Sequence, residues 1–299
     1  MTGTTIDNRA AVSVLAKDLD DIWAFIDRLL DSVPADSWSK RYGPDWTYAD
    51  VPWHLAYFDR IMLAEVLESG AELPQPQRFN LHSMSAINRW NDQEFARRPA
   101  AQTPQDSIRD LRAVHGRIRR TLAGMTDADL ERPAFNHFFS AGFETVRSAL
   151  RGGLLHSWGE ATELMTRLGR HDSVPEAATR NAIEGYLTFM AASADASRAG
   201  DRPFVLVLDF TGPAGGPYAV RVENGKGRLV PGPADDASLT FRLDPVVFNT
   251  VMIRRMQNPM LAMLTGKIHV KGFSKMPLMQ KVFSPPSPDK QLTGSLYGG

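Results

Sequence analysis

Gly200-Asp-Arg-Pro-Phe-Val-Leu-Val-Leu-Asp-Phe210 is where the chain changes its period. Upstream, apolar residues recur every three or four positions. From Phe204 onward they come in short runs broken by turn residues. The first pattern puts apolar side chains on one face of a helix, whereas short runs rich in Val and Phe read as strands. The change predicts two domains within 299 residues, a length comfortable for two. A helical bundle with a closing or linking helix is expected over residues 1–198. An α+β domain is expected over residues 199–299, with a loose tail from about 285.

Downstream of this boundary, Pro217–Val222 reads as a second strand. Glu223-Asn-Gly-Lys226 supplies the Asn-Gly pair that favours a tight hairpin. Arg228–Val230 and Ser238–Leu243 are further strands. Asp244-Pro245 starts a helix to about Arg254, Asn258–Leu264 forms another, Lys267–Val270 is a last strand and Met276–Phe283 a terminal helix. Six of the twelve methionines, Met252, Met256, Met260, Met263, Met276 and Met279, fall in this region. Methionine either lines adaptable apolar sites or fills irregular core gaps, and both readings stand here.

Upstream, Arg9–Val33 places Val12, Leu15, Leu19, Ile22, Ile26 and Leu29/Leu30 at helical steps. A second helix runs from Tyr48 to Ser69, and a shorter one from Met84 to Arg97. Thr103-Pro104-Gln105-Asp106 combines a capping threonine, a proline suited to the first helical position and an acid three residues on. The helix it opens carries Ile108, Leu111, Val114, Ile118 and Leu122. Glu144–Leu168 is the last long bundle helix, and Glu176–Ala196 closes the bundle or bridges to the next domain.

Basic and acidic residues balance at 34 each, so no cationic footprint for nucleic acid or for an anionic membrane is expected. No apolar run approaches the ~20 residues that cross a bilayer, so no membrane insertion is expected. The first residues show neither a basic patch nor an apolar stretch, which reads as cytoplasmic. There is no cysteine. Disulfides, thiolate ligands and a cysteine nucleophile are thereby excluded, and any thiol chemistry needs a thiol from outside.

Two histidines sit where chemistry could use them. In Leu154-Leu-His-Ser-Trp-Gly-Glu160, His156 and Glu160 are four apart and share a helix face. His54 lies in the second helix amid apolar residues. Should these helices be neighbours, two imidazoles and a carboxylate make a sufficient ligand set for a divalent metal with an open position. Spacing alone leaves equally open a solvated pair and a satisfied core histidine. Gly152-Gly153 costs helix stability and calls for a close approach of another helix. His82 and His137 are placed at a pocket mouth or in packing, and His115, His171 and His269 on surfaces. Tyr57, Asp59, Arg60 and Trp158 are candidates to flank the site.

Tyr48-Ala-Asp-Val-Pro-Trp-His54-Leu-Ala-Tyr-Phe-Asp59, Ala86-Ile-Asn-Arg-Trp-Asn91 and the helix with His156-x-x-x-Glu160 together resemble the DinB-like superfamily over about residues 8–170, nearest its mycothiol-dependent maleylpyruvate isomerase branch. The resemblance implies a four-helix bundle holding a divalent metal, zinc first, on His54, His156 and Glu160. In the isomerase branch the late pair runs Glu-then-His; here it runs His-then-Glu. Leu208-Asp-Phe-Thr-Gly212, Ala237-Ser-Leu-Thr-Phe241 and Leu264-Thr-Gly-Lys-Ile-His-Val-Lys-Gly272 resemble the sterol carrier protein type two fold, which implies a sheet covered by helices around an apolar tunnel. In DinB-like enzymes such a domain implies a cover for the metal site. The combination implies a metal-dependent S-transferase using mycothiol or a similar small thiol on an organic electrophile. Alternatives are a thiol-dependent cis-trans isomerase, a non-catalytic carrier of apolar ligands and a thiol-independent metalloenzyme.

Overall fold

The computed structural model describes residues 11–43, 46–69, 84–136, 142–192, 194–200 and 202–283. His82 and His137 lie outside them. The architecture has two domains, a helical one followed by one built on a mixed sheet.

Helix α1 (Val12–Asp31) buries Leu15, Leu19, Ile22, Ile26 and Leu29 on its expected stripe. Its first N–H donates to the Asp127 carboxylate at 2.9 Å, which satisfies a backbone group the helix cannot bond itself. Helix α2 (Asp50–Asp59) continues through a π-turn (Arg60–Ala64) into α3 (Glu65–Ser69). Helix α4 spans Met84–Ala96 and α5 Pro104–Ala123. At the start of α5 the capping box forms as read: Asp106 N–H donates to Thr103 Oγ1, and Thr103 N–H to the Asp106 carboxylate.

Strands β1 (Pro133–Asn136) and β2 (Gly142–Thr145) form a hairpin that the sequence reading does not contain. Its second strand takes the positions read as the start of the long helix, so α6 begins at Val146 and runs to Arg167. Helices α1 and α6 pack together, as do α2 and α5. A Cβ on Gly153 would collide with the Leu63 side chain, so α6 approaches the π-turn closely there. Gly152 has no such neighbour.

Helix α7 (Glu176–Ala192) belongs to both layers. Its Ala178 and Ala182 join the bundle core, while Ile183, Leu187 and Ala191 join the core under the sheet. That sheet comprises β3 (Phe204–Phe210), β4 (Gly216–Glu223), β5 (Lys226–Pro231), β6 (Leu239–Leu243) and β7 (Ile268–Lys271), in the order β5-β4-β3-β6-β7. Only β3 and β6 run parallel. Between β4 and β5, Asn224 (φ 50°) and Gly225 (φ 79°) are both left-handed, as a two-residue type I′ turn requires. After β6, the Asp244 side chain caps α8 (Pro245–Val247), which runs into a second π-turn (Phe248–Ile253). Helices α9 (Pro259–Leu264) and α10 (Met276–Val282) complete the domain. Met252, Met263, Met276 and Met279 pack partly buried against the sheet's core, whereas Met260 is exposed.

Candidate metal centre

His54 and Glu160, far apart in sequence, meet because α2 and α6 are both buried on nearly every side and His54 of one reaches His156 of the other. His54, His156 and Glu160 are all buried. The His54 and His156 Nε2 atoms lie 3.0 Å apart, and each is 3.7 Å from Glu160 Oε1. Zinc bonds of about 2.0–2.2 Å to nitrogen and oxygen place neighbouring donors roughly 3–4 Å apart, so these three atoms fit one ion. They are the group among the described residues that could hold a metal.

The surroundings fix each donor. The Tyr57 hydroxyl donates to Asn91 Oδ1 at 2.5 Å and lies 2.9 Å from His54 Nδ1. Its single proton is committed to Asn91, so it accepts from His54 Nδ1–H, and the bare Nε2 of His54 faces the centre. Burial, then Glu94 and Glu160, hold the Tyr57 phenol far above its ordinary range, so it keeps that proton. Phe58 stacks on the His156 ring (centroids 3.4 Å, 11°), and Trp46 packs over His54 at 4.7 Å. Burial pushes His156 well below the ordinary histidine range, against the pull of Glu160. It is therefore neutral, the form that ligates.

Glu160 is charged. Burial alone would raise its carboxyl, but Arg254, then His54 and His156, outweigh burial and hold it well below the usual carboxylate range. Arg254 comes from the end of the second π-turn, in the other domain. Its Nη2 donates to Glu160 Oε1 at 2.6 Å, and its Nη1 lies 3.4 Å from Glu163 Oε2. Gly159 makes room, since a Cβ there would stand 3.0 Å from Arg254 Nη2. Asn249, on the same π-turn, donates to Gly159 O (2.9 Å) and Thr162 Oγ1 (2.7 Å) and docks the turn on α6. Just past the turn, Arg255 stands at φ 53°, a left-handed conformation costly for a residue with a Cβ.

The proposed flanking residues divide. Tyr57 touches the centre. Asp59 is five residues beyond His54, about 140° further round the helix, and faces α5 instead. There it pairs with His115 at 2.8 Å, both fully buried, with His115 stacked on Trp23 (4.0 Å, 11°). The surface placement of His115 is thus corrected: it follows Leu111 by four and precedes Ile118 by three, and occupies the buried stripe itself. His171 and His269 are exposed, as expected. Arg60 is exposed, and Trp158 is a core residue whose indole N–H donates to Thr179 Oγ1 at 3.2 Å. Asn91 lies in a segment that carries the resemblance, but its role beside Tyr57, like that of Arg254 beside Glu160, emerges only from the packing.

Residues 18–159 match the family model of the DinB superfamily, and residues 191–284 that of the SCP-2 sterol transfer family. The chain joins a DinB-like domain to an SCP-2-like domain. His54 and His156 belong to the DinB-like match and Arg254 to the SCP-2-like one, so the centre draws on both. Among solved structures, the chain is similar to a mycothiol-dependent maleylpyruvate isomerase, with TM-score 0.51, 13% identity and coverage of 80% of this chain and 87% of that one. A histidine-to-alanine variant of that isomerase gives TM-score 0.52 at the same identity and coverage. The likeness is one of fold. A comparison with curated proteins gives no match. No helix among the described residues is long and apolar enough to cross a membrane.

Proposed function

We propose that this chain is a metal-dependent enzyme in which a small thiol of the mycothiol type attacks an organic electrophile. The observation that carries the reading is the convergence of His54 Nε2, His156 Nε2 and Glu160 Oε1 in a buried site bordered by Arg254. Held by these three donors, a divalent ion, zinc first, would accept the thiol sulfur, lower its pKa and keep it as thiolate.

The chain's own residues do the rest. Tyr57 and Asn91 hold His54 in the tautomer that presents Nε2, and Phe58 fixes the plane of His156. Arg254, paired with Glu160 and Glu163, keeps the Glu160 carboxylate charged and positioned as a donor. The nucleophilic sulfur belongs to the co-substrate, because the chain has no cysteine. In transfer, a sulfur–carbon bond forms while the bond from that carbon to its leaving group breaks with its electron pair. The His-then-Glu order on α6 departs from the isomerase branch and places transfer first. The fold likeness to an isomerase favours a second reading, in which sulfur adds, the substrate rotates about the former double bond, and sulfur leaves unchanged.

Zinc-loaded protein incubated with mycothiol and a panel of alkyl halides, epoxides and maleylpyruvate tests this, with products followed by mass spectrometry. Transfer gives S-conjugates that require both metal and thiol. Conversion of maleylpyruvate to its trans isomer without a lasting conjugate selects the second reading. Consumption of no electrophile, or consumption indifferent to thiol, overturns both.

A further inference from the structure

Five large apolar side chains stand exposed among the described residues, and four of them fall between positions 260 and 273. They are Met260 (52% exposed), Leu261 (56%), Leu264 (82%) and Phe273 (54%); the fifth is Val14, in the other domain. Scattered single exposures are ordinary, but a cluster on one short unit is not. Helix α9 presents Met260, Leu261 and Leu264 on its outer side while Ala262 is buried. A tight turn at Thr265-Gly266 leads into β7, which packs against α9 and is one of the two edge strands of the sheet. Left-handed Gly272 (φ 84°) then turns the chain at Phe273.

Charge segregates to the same stretch of sequence. From Pro245 to Pro288 there are six cations, Arg254, Arg255, Lys267, Lys271, Lys275 and Lys281, and not one acid. The whole chain is neutral, so the remainder carries six more acids than bases. Arg254 is taken up by Glu160 and Glu163. The other five make no ion pair among the described residues, in contrast with bundle arginines such as Arg112, Arg117 and Arg119, which are matched by carboxylates. Lys267, Lys271 and Lys275, all exposed, fall in the same short unit as the four exposed apolar side chains, so the balanced overall composition conceals a local cationic, apolar patch.

We propose that this face, formed by α9, β7 and the turn at Phe273, docks the chain peripherally on an anionic lipid surface. Headgroup anions answer the uncompensated lysines, whose long stems let the ammonium groups reach them. Leu264, Leu261 and Phe273 enter the boundary with the acyl chains. No helix needs to cross the bilayer, and the docking is independent of the chemistry at the metal centre. Each cation near such a surface contributes about fivefold to binding, and the attraction fades with salt.

Sedimentation of the full-length protein with vesicles tests this, using phosphatidylcholine alone or mixed with phosphatidylglycerol. The protein is expected to pellet with the mixed vesicles only, and less as salt rises. Leu264→Glu/Phe273→Glu should weaken this at least tenfold, and Lys271→Gln/Lys275→Gln about twentyfold, with circular dichroism and metal content unchanged in both. Failure to pellet with anionic vesicles at low salt overturns the proposal, as does pelleting that both variants retain. A concentration-dependent dimer in analytical ultracentrifugation, lost in Leu264→Glu while vesicles are ignored, also overturns it and assigns the face to a second copy of this chain.

Discussion

Replacing Arg254 by methionine removes the cation that, among the described residues, reaches the Glu160 carboxylate from the other domain. Glu160 stays 3% exposed and, without metal, loses its shortest charged partner, the 2.6 Å contact with Nη2. Removing one partner of a buried ion pair costs about 3–5 kcal/mol. Arg254 is itself 29% exposed, so water screens part of the interaction, and about 2–3 kcal/mol is expected. That corresponds to a fall in Tm of roughly 5–10 °C. The assay is urea unfolding of chelator-treated protein in a cycle of wild type, Arg254→Met, Glu160→Gln and the double variant. Glu160→Gln removes the charge that Arg254 compensates, so the double variant should lose less than the sum of the singles by more than about 1 kcal/mol. Saturating zinc should narrow the Arg254→Met deficit, because the ion supplies the missing positive charge. Losses that add to within about 0.5 kcal/mol would refute the coupling across the domains.

Three further predictions follow from single contacts. Tyr57→Phe frees His54 Nδ1 from its orienting partner and should weaken zinc affinity by about 10–100-fold in a chelator competition, with the fold intact. Gly153→Ala drives a methyl into Leu63 and should cost about 1–3 kcal/mol in urea unfolding, whereas Gly152→Ala, with open space, should stabilise α6 slightly. Burial raises the Glu184 carboxyl above its ordinary value, against Arg151 and the Tyr218 hydroxyl. Its contribution is therefore fully present below about pH 4.5, the unfolded value, and declines as pH rises through the raised folded one. Glu184→Gln should accordingly be more stable than wild type at pH 7 and no more stable at pH 4, as read by denaturant midpoints.

How much of this was legible in the sequence depends on how local the determinant is. The stripe of α1, the capping box at Thr103 and the Asn224-Gly225 turn are set by neighbours a few residues apart, and each formed where read. The β1–β2 hairpin was not legible, because four-residue strands after Pro133 show no alternation long enough to separate from a loop. The π-turns likewise leave no periodic trace, yet one carries Leu63 against Gly153 and the other aims Arg254. On α5, Val114 also fits a helical stripe, but the buried face runs through Leu111, His115, Ile118 and Leu122, one residue further round the helix. At the centre, the i, i+4 pair is visible in the sequence, and His54 stands out by its apolar neighbours in the second helix, with the resemblance joining the three. Arg254 lies 94 residues from Glu160, and only the domain packing joins them.

The central claim is that His54, His156 and Glu160 hold one divalent ion, and metal per chain tests it most directly. Chelator-treated protein, reloaded with zinc, freed of excess ion and measured by elemental analysis, should hold close to one equivalent, and His156→Ala and His54→Ala close to none. Wild-type protein that retains no metal, or variants that retain a full equivalent, would contradict the account.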